Sequence, residues 1–316
     1  MIFDRRKFLK IAAGAGAAAA IGAHGLSGWA EAEPAPAPES FDFVFFTDTH
    51  IEPELKAAQG CDACFRKIAG TKSEFAIVGG DHVYDALSVG NARAKLVYDL
   101  YQRTEQQLQM KLYHTIGNHD VFGIETKSGV SPSDPAYGKK MYEERIGAKT
   151  YYSFDHRGYH FAVLDSIQPT ADRLWEARID DPQLSWLAAD LAKVRPGAPV
   201  IVVTHVPLVT AFPTYATLDA PNAKYNTLTV ANTPQVLRVL EGHNVIAVLQ
   251  GHTHVNEIVS YKNTQYITSG AVCGNWWHGP RMGTPEGFTV VSLREGKIST
   301  RYETYGFHSA DPREKF

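Results

Sequence analysis

Five short stretches carry residues suited to metal-binding and acid-base chemistry: Thr47-Asp48-Thr49-His50, Gly80-Asp81, Gly117-Asn118-His119-Asp120, Thr204-His205 and Gly251-His252-Thr253-His254. Carboxylate, imidazole and amide groups form a mixed oxygen and nitrogen donor set, which suits zinc, manganese or iron better than calcium. In Asp48-x-His50 and His252-x-His254, alternate residues of an extended segment point to one side, so each pair can address one ion or two adjacent ions. No Ser or Cys nucleophile motif competes with this set.

The five stretches follow, or lie close behind, continuous apolar runs at 43–46, 75–78, 111–116, 199–203 and 245–249. Continuous rather than alternating hydrophobicity predicts strands covered on both faces. Segments 92–110 and 183–193 have helical spacing, so the pattern is α/β with crossover helices. Further strands are expected at 151–154, 159–164, 256–261, 265–268, 287–293 and 297–303, with tight turns at Lys262-Asn263 and Glu295-Gly296. The polar clusters then stand at the carboxyl ends of strands, the edge where open α/β sheets bind ligands. Two longer connections, 124–136 and 208–233, have a length usually spent on lids or binding segments.

Read in order, the motifs D-x-H, G-D, G-N-H-D, H and G-H-x-H resemble those of the calcineurin-like metallophosphoesterases, and they span Asp48 to His254 of a folded region expected at 41–316. The resemblance implies a four-layer αββα sandwich, two mixed β-sheets flanked by helices. It also implies two divalent metal ions (Mn, Fe or Zn), with Asp48, His50 and His254 on one, Asn118, His205 and His252 on the other, and Asp81 bridging both. His119 would stay unligated as the catalytic imidazole, donating a proton to the leaving oxygen or stabilising charge on the phosphoryl group. Asp85 or Asp120 would hold its ring. The ions would activate a water for in-line attack on phosphorus. The single-domain D-x-H layout is similar to the family's cyclic-nucleotide and glycerophosphodiester branch, so hydrolysis of small phosphate esters is expected, with diesters favoured. A phosphomonoesterase or acid phosphatase, or a non-catalytic metal-stabilised binding protein, is the alternative.

Gly80-Asp81-His82-Val83-Tyr84 also fits the G-D-x-x-Y motif of purple acid phosphatases, in which the Tyr binds ferric iron. Their first motif is D-x-G, whereas His50 fills that slot here, so Tyr84 is expected not to be a ligand. His82 is expected to be structural or to support the centre from behind. The Gly-rich stretch 269–281 follows a strand soon after the last motif and holds Trp276, Trp277 and Arg281, which are taken as substrate contacts on the pocket wall. Capping of the core by the two tryptophans is the alternative.

With 316 residues and 44% hydrophobic content the chain can bury a large core. Its formal net charge of −3 gives no general attraction for phosphate backbones, so no nucleic-acid partner is expected and a small phosphate ester is the expected ligand. Arg5-Arg6 ahead of an Ala/Gly run at 11–23 resembles a twin-arginine export signal over 1–32, followed by a Pro/Ala linker at 33–40. Cleavage after residue 32 removes Arg5, Arg6, Lys7 and Lys10 with Asp4 and Glu31, which shifts the net charge from −3 to about −5. The expectation is a periplasmic or extracellular protein with no stable membrane association after cleavage. Cys61-x-x-Cys64 and Cys273 leave two readings open, a disulfide or small buried residues without chemistry.

Overall fold

The computed structural model describes residues 37–216 and 224–313. The expected export signal, the start of the linker and residues 217–223 of the long 208–233 connection lie outside the described residues. The strands are β1 (Phe41–Phe46), β2 (Phe75–Val78), β3 (Lys111–His114), β4 (Tyr152–His156), β5 (Tyr159–Leu164), β6 (Ile167–Pro169), β7 (Trp175–Ala177), β8 (Val200–Thr204), β9 (Val245–Gln250), β10 (Glu257–Tyr261), β11 (Thr264–Thr268), β12 (Gly287–Arg294) and β13 (Lys297–Thr304). The helices are α1 (Ala57–Ala69), α2 (Asn91–Glu105), α3 (Lys140–Ile146), α4 (Asp181–Leu191), α5 (Phe212–Tyr215) and α6 (Thr233–Leu240).

The strands form a sheet of order β13-β12-β1-β2-β3, a second of order β10-β11-β9-β8-β5-β4, and a small β6-β7 ribbon. Both large sheets are mixed: β1, β2 and β3 run parallel while β12 is antiparallel to β1. Likewise β5, β8, β9 and β11 are parallel, with β4 and β10 antiparallel at the edges.

Alternation along each strand assigns its two faces. On β1, Phe41, Phe43 and Phe45 pack with Ile201 and Val203 of β8 in a core between the sheets. Val44 and Phe46 point the other way, onto α1 and α2 through Phe65, Ile68, Val97 and Tyr101. On β8, Val200 and Val202 turn outward to Leu187, Leu191, Val236 and Leu240 of α4 and α6. Helix, sheet, sheet, helix is therefore the layer order, as expected. The inter-sheet layer is largely aromatic, with Phe43 stacked on Phe75 at 5.0 Å, and truncating such a buried Phe to Ala costs about 3–5 kcal/mol.

Cys61, Cys64, Phe65 and Ile68 recur at helical spacing on the buried face of α1, which explains the C-x-x-C spacing without chemistry. All three cysteines are free and buried, so the disulfide alternative gives way to the packing one. Both tight turns form as expected, since Tyr261 pairs with Thr264 and Arg294 with Lys297 across two-residue loops. Among the described residues no helix is long and apolar enough to cross a membrane.

Candidate metal centre

The chain bends sharply as it leaves β1, β2 and β9. Asp48 (φ 55), His50 (φ 37), Asp81 (φ 53), His252 (φ 73) and His254 (φ 62) all occupy the left-handed region. A non-glycine residue there costs about 1–3 kcal/mol and persists only where its surroundings hold it. Backbone hydrogen bonds between the segments do so: Asp48 N donates to Gly80 O at 3.0 Å, His50 N to Asp81 O at 3.0 Å, and Gly251 N to His205 O at 2.9 Å. The glycines of the motifs make room for this crowding. At Gly80 (φ +101) a Cβ would stand 2.6 Å from His205 Nδ1, and at Gly117 it would collide with the Asp81 carboxylate.

Asp48, His50, Asp81, His205 and His254 meet below the surface with essentially no solvent exposure. Asp48 Oδ1 lies 3.2 Å from His254 Nε2 and 3.6 Å from His50 Nε2. Asp81 Oδ2 lies 3.4 Å from His50 Nε2 and 3.2 Å from His205 Nε2, so this carboxylate stands between the two halves of the cluster. His252 completes a triplet with Asp81 and His205, all donor atoms within 4.8 Å of one another. Neighbouring carbonyls set two of the imidazoles: His205 Nδ1 donates to Gly79 O at 2.8 Å and His254 Nδ1 to Gly274 O at 2.6 Å, so each Nε2 faces the centre.

These side chains fit a pair of divalent ions. Asp48 Oδ1, Asn118 Oδ1 and His205 Nε2 are buried polar atoms with no hydrogen-bond partner among the described residues, and such atoms are costly unless something absent from the protein fills the gap. Burial works against charge on Asp48 and Asp81, yet the histidines around them hold both carboxyl groups below the usual range. Burial also disfavours a charged His205, but Asp81 and Asp48 outweigh it and push the imidazole up to about 9. His252, by burial and by repulsion from His205, is held down to about 3. Two buried carboxylates thus demand positive charge, which a proton on His205 meets in the metal-free centre and metal cations can meet in its place.

His119 borders the cluster, its ring 4.8 Å from that of His50, and Asp81 Oδ1 accepts from its backbone N–H at 2.8 Å. Asp85 Oδ1 lies 3.7 Å from His119 Nδ1, and the Ser88 N–H donates to the same carboxylate at 3.2 Å. Burial lowers the basicity of His119, but Asp81 and Asp85 reverse this and leave it above an ordinary imidazole. Asp85 is therefore the carboxylate behind the ring. Asp120, the other candidate, faces away and takes up backbone N–H groups of Asp81, His82 and Gly117 at 3.0, 2.9 and 2.9 Å. A cavity of about 550 Å³ opens in front of His119 and Asn118, with Tyr84, Trp175 and Trp276 on its lining.

The three expected substrate contacts separate. Trp276 packs over the centre, 4.1 Å from the His50 ring and 5.0 Å from that of His254. Trp277 is fully buried and does not reach the cavity: it packs on Phe307 and against Gly60 of α1, and its Nε1–H donates to His50 O at 2.9 Å. Its placement on the pocket wall is corrected to a strut behind a metal-side residue, because consecutive residues in the left-handed region send their side chains different ways. Arg281 is also corrected. It bridges Thr284, reaches Asn275 Oδ1 at 3.5 Å and is not among the residues lining the cavity. Tyr84 stands on the cavity wall with its ring 5.8 Å from Trp276. Sequence reasoning missed Trp175, which the β6-β7 ribbon brings to 5.9 Å from the His252 ring. Three-residue strands leave no periodic signal, and a lone Trp offered the only hint.

The chain belongs to the calcineurin-like phosphoesterase family, whose model matches residues 41–256. By class it is a metal-dependent phosphoric ester hydrolase. No curated protein matches it in sequence. Among solved structures it is similar to a dimetal phosphatase from Danio rerio, with 15% identity, a TM-score of 0.57, and coverage of 84% of this chain and 99% of that one. It is also similar to the purple acid phosphatase PPD1 from yellow lupin seeds (13% identity, TM-score 0.55, 85% of this chain and 52% of that one). GAP50, the anchor in the inner membrane complex of Plasmodium, shares the fold too (16% identity, TM-score 0.54, 87% and 90%). Likeness at these identities establishes the fold alone, and function has to be argued from the site.

Proposed function

We propose that this protein hydrolyses small phosphate esters, diesters ahead of monoesters, at a centre of two divalent ions. Asp48, His50 and His254 would hold one ion, Asn118, His205 and His252 the other, and Asp81 both. The observation that carries the reading is the convergence of Asp, Asn and His side chains from five segments beside the His119 imidazole, with Asp48 Oδ1, Asn118 Oδ1 and His205 Nε2 buried and unpartnered. When bound, the ions supply Lewis-acid activation of a water and of the phosphoryl oxygens.

The chain's own residues do the rest. His119, raised in basicity by Asp81 and Asp85, carries a proton to the cavity side and gives it to the leaving oxygen. Asp85 keeps the ring aimed, and Trp276 covers the His50 and His254 side against water. Two features support the diester preference. The D-x-H motif that ends at His50 resembles that of the family's cyclic-nucleotide and glycerophosphodiester branch, and the cations lining the cavity are already matched, Lys127 with Glu125 at 2.9 Å and Arg313 with Asp311. A monoester dianion brings an extra negative charge that they do not meet.

Manganese-loaded protein assayed on bis(p-nitrophenyl) phosphate and p-nitrophenyl phosphate tests this. Diester turnover above a metal-stripped control, and ahead of the monoester, is expected. No turnover of either with two ions bound would overturn the hydrolase reading, and faster monoester turnover would overturn the diester preference. We also propose export by the twin-arginine route, on the strength of Arg5-Arg6 and the Ala/Gly run behind it. A mature amino terminus near Glu33 is the expected result, and an intact terminus on exported protein is the contrary one.

A further inference from the structure

The cavity in front of His119 is much larger than a phosphoryl group needs, at about 550 Å³. Its volume falls in the range of sites that enclose a whole small ligand. Two half-buried tryptophans line it, each against an imidazole of a different half of the centre: Trp276 against His50 and His254, and Trp175 edge-on to His252. The Asn118 and His119 side chains belong to the same lining. Tyr84 extends the aromatic wall outward, 36% exposed and set edge-on to Trp276.

Holding Trp276 there is costly. Its backbone sits at φ +54, a conformation that a residue with a Cβ rarely adopts, and Trp277 beside it at φ +67 is anchored to His50 O. Strain maintained to aim a half-exposed indole over a reaction centre needs a compensating use. Phosphate recognition is not that use, since an indole offers no charge and the lining cations already have carboxylate partners.

We infer that Trp276 and Trp175 determine specificity by selecting esters whose leaving group carries a flat, uncharged aromatic ring. The inference rests on the hydrolase reading above and names its substrate class. The ring enters beside Trp276 as the phosphoryl group meets the centre, and His119 protonates the departing oxygen, so the aromatic alcohol leaves with its O–H restored. Stacking on an indole rewards a π-face and gives much less to a saturated ring of the same size.

The test uses manganese-loaded protein and matched pairs with the same type of leaving alcohol. Benzyl phosphate is set against cyclohexylmethyl phosphate, and the methyl diester of each against the other. Adenosine 5′-phosphate against ribose 5-phosphate distinguishes a ring held one sugar away from one next to the ester oxygen. The expected result is kcat/KM about tenfold higher for the aromatic member of at least one pair. Trp276→Leu and Trp175→Leu should each shrink that ratio by about threefold or more, and Trp276→Phe should keep most of it. Quenching of tryptophan fluorescence by benzylphosphonate and cyclohexylmethylphosphonate gives a readout independent of turnover, with tighter binding of the aromatic compound expected. Equal kcat/KM within all pairs, or a ratio unchanged in both Leu variants, overturns the inference. Aromatic-selective phosphonate binding without turnover of any ester would sink the hydrolase reading and leave the ring site standing.

Discussion

Two clusters of buried histidines and carboxylates lie back to back in this protein, and adjacent residues, Asp81 and His82, open one onto each. On the Asp81 side stand Asp48, His50, His205, His252 and His254, with unpartnered polar atoms and, at all of these but His205, a backbone in the left-handed region. On the His82 side the rings bond to one another and to a carboxylate: His82 Nδ1 lies 2.8 Å from Asp120 Oδ2 and His82 Nε2 lies 3.0 Å from His114 Nδ1, while His114 Nε2 faces Glu105 Oε1 at 3.6 Å. Residue types and burial are alike in the two places. What separates them is how far the groups pair, because His82, Asp120 and His114 bond to one another whereas Asp48 Oδ1, Asn118 Oδ1 and His205 Nε2 have no partner among the described residues, so the His82 side is the more closed of the two. The contrast also shows a division of labour, since Asp120 caps the closed chain while holding the backbone of Asp81.

The sharpest break in this comparison is Asp81→Ala. Loss of a carboxylate placed between both halves of the centre should take metal content from two ions toward zero and lower turnover on the order of a thousandfold or more. Metal analysis beside kinetics reads both, and a variant that keeps two ions would falsify the bridging role. His119→Asn comes next: kcat should fall about 10²- to 10⁴-fold with both ions still bound. Equal loss of metal and rate there would make His119 a ligand.

Changes on the closed side should act on stability first. Asp120→Ala leaves the N–H groups of Asp81, His82 and Gly117 and the His82 ring without their acceptor. A cost of about 3–5 kcal/mol is expected in urea denaturation, and a value under about 1 kcal/mol would mean that the closed chain carries little.

The smallest effect is a pH slope. Burial, helped by the neighbouring His82, depresses the His114 imidazole well below its ordinary value in the folded state. A depressed folded value means that the unfolded chain binds the proton more readily. The contribution is therefore complete above the unfolded value near 6.5 and is lost as pH falls below it, by up to about 1.4 kcal/mol per pH unit. His114→Gln should flatten that part of the profile between pH 7.5 and 5.5, and a wild-type and variant difference independent of pH would contradict it.

Much of the fold was legible in the sequence, because strands buried on both faces must be continuously apolar. The runs at 75–78 and 159–164 coincide with β2 and β5, and the others differ by a few residues at their ends. The grouping of Asp48, His50, Asp81, His119, His205, His252 and His254 was legible as well, since Asp and His side chains at strand ends stand out from the apolar runs before them. The C-x-x-C of α1 was ambiguous, because the same spacing serves a redox pair and a helix face, and only packing against β1 distinguishes them.

What the chain order alone determined is which residue types arrive at the carboxyl edge of the sheets. Tertiary structure decided which way each one faces. Trp276 and Trp277 are neighbours of the same kind, and no local rule ranks them. Gly60 on α1, more than two hundred residues earlier, leaves the space that Trp277 fills, and the His50 carbonyl takes its proton. With Trp277 drawn into the core, Trp276 is left to face the centre. The same holds for Asp81 and His82, where backbone bonds to Asp120 and Ile51 set the turn that sends the carboxylate to one cluster and the imidazole to the other. Type is a property of the residue, whereas direction comes from contacts that exist only once distant segments have met.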